Sequence, residues 1–156
     1  MSEDPPEYLL VAATNVAYIF LACCLWAKGY LFGAAFVFSV ALASTAYHII
    51  PSSNGLELLD KILAYATILW AAIVLTPKVI ETNMHWPLYV GLALLLIGAS
   101  YVFYKTTGDD HKTPNYIIKH SLWHFGTAAA GLILLLGAPQ NESRKEIKKI
   151  TRELWH

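Results

Sequence analysis

The chain has 156 residues, 56% of them hydrophobic and only 14% charged, with 11 basic residues against 11 acidic. A soluble domain carries about 25% charged residues, so this composition and a mean hydropathy of +0.47 exclude an ordinary water-soluble globule. Balanced charge with no basic domain excludes a nucleic-acid binder, and two adjacent cysteines in an apolar run, Cys23 and Cys24, exclude a disulfide scaffold.

The remaining class is an all-α integral membrane bundle, and five apolar stretches predict five transmembrane helices. They run from Leu9 to Ala27, Tyr30 to Ile50, Leu58 to Leu75, Trp86 to Tyr104 and Ile117 to Gly137. Each is near the roughly 20 residues that a helix rising about 1.5 Å per residue needs to cross the hydrocarbon. The acidic leader Ser2-Glu3-Asp4-Pro5-Pro6-Glu7 lacks the basic start of a signal peptide, so the first span is read as retained. Lys28-Gly29 separates spans one and two, and Pro51 to Gly55 separates two and three. Thr76-Pro77 is expected to end span three, and the polar loop from Lys105 to Lys119 precedes span five. Residues 1–138 form the membrane domain. Residues 139–156 read as a basic amphipathic cytoplasmic tail, with Ser143 and Glu146 as a capping box.

Lysine and arginine orient the bundle. Five spans put Lys61, Lys105, Lys112 and Lys119 on the N-terminal side and the other seven basic residues on the opposite side. The positive-inside rule then places the N-terminus outside or lumenal and the C-terminus in the cytoplasm, in a bacterial inner membrane or the ER/Golgi.

Ionisable groups within spans are costly and usually functional. Here they are His48, Asp60, Lys61, His120 and His124, with Lys119 at an edge. Ser44 and His48 are four apart and share a helix face, as do His120 and His124. A histidine pair at that spacing can bind one metal ion. Span two ends, and spans three and five begin, on the N-terminal side. His48, Asp60 and the histidine pair therefore lie at one depth, and the metal reading assumes that spans two, three and five pack together.

Three histidines with an open fourth position are a catalytic zinc arrangement, in which bound water ionises near neutral pH. Asp60 is the expected counter-charge and proton acceptor. Ser44 is expected to hydrogen-bond the water or a substrate carbonyl. The blander readings are kept for the remainder. Lys61 snorkels, His85 anchors at the interface, His111 sits in a solvated loop, and Tyr65 and Trp70 pack.

Ser44-x-x-x-His48, Asp60 and His120-x-x-x-His124 together resemble the hallmark of the CREST superfamily, which includes alkaline ceramidases, adiponectin receptors, hemolysin III proteins and the myomaker group. The resemblance implies zinc on His48, His120 and His124, catalytic roles for Ser44 and Asp60, and a membrane lipid amide or ester as substrate. The family has seven spans and this chain five, a difference that preserves the parity of the site but removes helices that build the lipid pocket. A non-catalytic zinc-stapled scaffold, receptor or fusion factor is the alternative. A b-type cytochrome would leave one of the paired histidines idle. A proton-coupled carrier is disfavoured by the expectation of unbroken helices.

Overall fold

The computed structural model describes residues 7–50, 54–105 and 114–141, and every regular element among them is helical. Two short helices, α1 (Glu7–Thr14) and α2 (Val16–Ala27), make up the first rod. α3 (Leu31–Ile49) returns antiparallel. Between them Gly29 takes φ 86°, a left-handed turn conformation that side chains with a Cβ resist. The third rod is α4 (Asn54–Trp70), a π-helical turn over Ala71–Leu75, and α5 (Thr76–Thr82). α6 (Trp86–Lys105) and α7 (Pro114–Gly137) complete the bundle. Among the described residues four stretches are long and apolar enough to cross a membrane: Leu9–Ala27, Leu31–Ile49, Asn54–Thr82 and Tyr116–Gly137; Trp86–Val102 is a shorter apolar helix.

Three boundaries differ from the sequence expectations. The third rod does not stop at Leu75; it runs 29 residues, from Asn54 to Thr82. Proline lacks an N–H, but Pro77 falls in the first turn of α5, where that donor would have no intrahelical partner. The π turn just before it shifts the hydrogen-bond ladder, and the Thr76 hydroxyl donates to the Ala71 carbonyl at 3.3 Å. The first rod is interrupted at Asn15, whose N–H reaches only the Ala12 carbonyl. The helices are thus not all unbroken. The last helix begins at Pro114, so Lys119 is inside it rather than in the preceding loop. The expected tail beyond Asn141, its capping box and His111 lie outside the described residues.

Packing runs α2 on α3, α3 on α4 and α6 on α7, while the first rod touches both α3 and α7. Leu21, Leu25, Val37, Val40, Leu75 and Val79 form the centre of the core. Gly126 lets α6 and α7 close up, because a Cβ there would collide with the Ser100 side chain. Large apolar residues such as Phe32, Trp26 and Leu95 are left exposed on the outside, the pattern of a surface solvated by lipid rather than water.

Candidate metal centre

The three histidines meet. His48 comes from the last turns of α3, and His120 and His124 from successive turns of α7. All three are buried, at 1%, 6% and 3% exposure, and ligand atoms from all three lie within 4.8 Å of one another. His48 Nε2 is 3.2 Å from His120 Nε2. The rings of His120 and His124 stand nearly perpendicular with centroids 4.7 Å apart, and His48 is T-shaped to both.

This donor set fits a divalent ion. Two nitrogens on a tetrahedral ion, each about 2.0–2.1 Å from it, lie about 3.3 Å apart, close to the His48–His120 separation. Two imidazole nitrogens at that range must share either a proton or a cation, since bare lone pairs repel. The neutral imidazole is the ligating form.

Ser44 is fully buried on α3, one turn before His48, with its hydroxyl 3.5 Å from His124 Nε2. Asp60 comes from the first turns of α4 and lines, together with Ser44, a cavity of about 370 Å³ that also touches His120 and His124. A second, apolar cavity of about 130 Å³ borders it and shares Tyr18, Val40, Ala64 and Trp123 as walls.

The three histidines and Ser44 thus converge and Asp60 lines the same cavity, but spans two, three and five are not sufficient to build the site. The first rod sits against both α3 and α7 and supplies residues that the sequence reading passed over. The Thr14 hydroxyl lies 2.7 Å from His124 Nδ1 and donates to the Val11 carbonyl at 2.6 Å. Asn15, 1% exposed, donates through its amide to Thr45 on α3 at 3.2 Å. Tyr18 stacks near His124 and meets the Thr127 hydroxyl at 2.6 Å. The available signal was a Thr-Asn pair in mid-span, where polar side chains are rare.

Other expectations divide. Trp70 packs closely against Gly33, as a core residue should. Tyr65 is instead 55% exposed and lines the polar cavity. Lys61 pairs with Glu57 one turn earlier, at 2.5 Å, rather than only extending toward the interface. His85 is exposed in the turn before α6, where its N–H meets the Asn83 side chain. The chain matches no protein-family model, no curated protein and no solved structure, so this centre is read from its own geometry.

Proposed function

We propose that the chain is an intramembrane zinc-dependent hydrolase of a lipid amide or ester. The observation that carries this reading is the convergence of three buried imidazoles beside a carboxylate-bearing cavity with room for a reacting carbonyl. A purely structural zinc staple would need no such space, because structural sites are closed by four protein ligands. The adjoining apolar cavity suits a lipid tail, and the resemblance of the residue pattern to the CREST superfamily points to the same chemistry.

His48, His120 and His124 would hold the ion. Zinc at such a site supplies Lewis acidity and lowers the pKa of a water toward about 7. Asp60 takes a proton from the attacking water as its oxygen adds to the substrate carbonyl. The carbon–nitrogen or carbon–oxygen bond then breaks, and Asp60 returns that proton to the leaving amine or alcohol. Ser44, on the wall of the same cavity, hydrogen-bonds the substrate carbonyl. The products are a fatty acid and an amine or alcohol.

The basic-residue count supports an orientation with this centre toward the outer or lumenal face and the C-terminus cytoplasmic. Depth suits the reaction. His120 is the seventh residue of α7, about 9 Å along the helix from its start at 1.5 Å per residue, where amide and ester linkages lie beneath headgroups.

The test is the metal content of purified protein by mass spectrometry, followed by a screen of N-acyl and ester lipids for fatty-acid release. About one zinc per chain and release from at least one lipid class are expected. For orientation, single cysteines at the exposed positions Asn54 and Met84 are introduced after replacing Cys23 and Cys24 with alanine. An impermeant thiol reagent should reach Asn54→Cys only from the outer or lumenal side and Met84→Cys only from the cytoplasm. The reverse pattern would put the centre on the other leaflet.

A further inference from the structure

The first rod approaches the centre through one short polar chain, and that chain has a direction. The Thr14 hydroxyl proton is committed to the Val11 carbonyl at 2.6 Å. Its oxygen can then face His124 Nδ1, 2.7 Å away, only as an acceptor. An imidazole nitrogen that donates carries the ring's proton, so the remaining nitrogen, Nε2, is left with a bare lone pair. That is the atom turned toward Ser44, and the rings of the other two histidines pack against the same imidazole.

We infer that Thr14 is a positioning residue that locks His124 in the Nδ1–H tautomer and aims its Nε2 at the metal. The inference rests on the metal reading above and assigns the first rod a part in it. The interruption at Asn15 belongs to the same device. The Asn15 N–H turns to the Ala12 carbonyl, which leaves the Val11 carbonyl to the Thr14 hydroxyl. The Asn15 side chain meanwhile ties the break to Thr45, the neighbour of Ser44. Partners of this kind behind a ligating histidine fix ring orientation and raise ligand basicity, and their loss lowers metal affinity by about 10–100-fold. Thr14→Val keeps the shape of the side chain and removes both the donor and the acceptor. Thr14→Ser keeps both.

The experiment is a zinc titration of the purified full chain against a competing chelator. Thr14→Val should bind zinc about 10–100-fold more weakly than the parent, and Thr14→Ser within about threefold of it. Lys28→Met, which loosens the far end of the first rod where it meets α7, is the control for a merely structural loss. It should lower the melting temperature and leave zinc affinity unchanged. Equal affinity in the parent and Thr14→Val would overturn the role of Thr14 while leaving the centre in place. A parent that binds no zinc would overturn the centre itself. Should Thr14→Val fail to fold, the parent alone decides. Nitrogen-15 spectra of histidine-labelled, zinc-loaded protein should show His124 protonated at Nδ1 and ligated through Nε2. Ligation through Nδ1 would refute the inference.

Discussion

α7 is held at both ends, and the two ends are held by opposite physics. At its C-terminal end the helix leaves backbone carbonyls without intrahelical donors, and the surroundings satisfy them. The Lys28 ammonium donates to the Leu135 carbonyl at 2.5 Å and the Ala138 carbonyl at 2.7 Å. The Tyr30 hydroxyl donates to the Pro139 carbonyl at 2.9 Å, and the Asn141 N–H returns to the Lys28 carbonyl at 3.0 Å. A cation here also meets the negative end of the helix dipole. At the N-terminal end three imidazoles are buried within reach of one another around a cavity. The first arrangement closes on itself. The second gathers three ligand groups around one point. A scaffold of helices needs only closed ends, and the contrast marks the histidine end as the place where the bundle could hold a metal ion.

Removing the metal should produce the largest effect, and only at one end. Metal bound to the folded state alone stabilises it by about 4 kcal/mol when free metal exceeds its dissociation constant a thousandfold. Chelation should therefore lower the melting temperature of the parent by on the order of 10 °C. A His48/His120/His124 triple alanine variant should carry no zinc and show no response to chelator. Differential scanning with and without chelator checks both. A triple variant that still retains one zinc per chain would dissolve the distinction between the ends.

Asp60→Asn separates binding from chemistry at the histidine end. Asp60 is not among the residues whose ligand atoms converge, so zinc content should be nearly that of the parent. Hydrolysis should fall by about 10² or more, the usual scale for a lost acid–base group. Unchanged turnover with unchanged zinc would reduce Asp60 to a structural part of the cavity wall.

Lys28→Met probes the closed end. It keeps an apolar stem and removes the donor to the carbonyls of Leu135, Leu136 and Ala138, which should cost about 1–2 kcal/mol. Zinc content should be unaffected, because the change is at the far end of α7 from His120 and His124. Loss of zinc on this substitution would mean that the two ends are coupled through the helix, and the comparison would fail.

The two ends were unequally legible in the sequence. The histidine end could be read because its parts obey simple rules. Residues four apart share a helix face, and span parity sets which side of the membrane they reach. Thr14 escaped those rules, since its contact with His124 joins residues 110 apart and depends on which helices become neighbours. The same is true of Lys28, which reads as a loop residue between two spans and is instead bonded to the end of α7. Pro77 misled in a different way. It marks a helix terminus in most contexts, and only the π turn over Ala71–Leu75 lets the chain continue past it. Periodicity and parity are local or topological signals, whereas partner choice between helices is a packing outcome.

The smallest effect sharpens the closed end. Tyr30 is 2% exposed, and burial raises the pKa of its phenol above the ordinary 10.0. Its hydroxyl therefore stays a donor to Pro139 at any ordinary pH, and Tyr30→Phe should cost about 1 kcal/mol. The sign of the pH dependence follows from linkage. Between pH 10 and the raised folded value, the unfolded chain loses this proton while the folded chain keeps it. Stability contributed by Tyr30 is thus whole below about pH 10 and is lost as pH rises through the folded pKa. The chain has nine tyrosines, so the parent alone cannot report on one of them. The difference in melting temperature between the parent and Tyr30→Phe can. It should be constant from pH 7 to 9 and shrink as pH rises past 10. Pairing the variant with Lys28→Met adds a further reading. Their acceptors, Pro139 and Ala138, are adjacent, so the double variant should lose measurably less than the sum of the single losses. Strict additivity would mean that the closed end is two independent caps rather than one clamp.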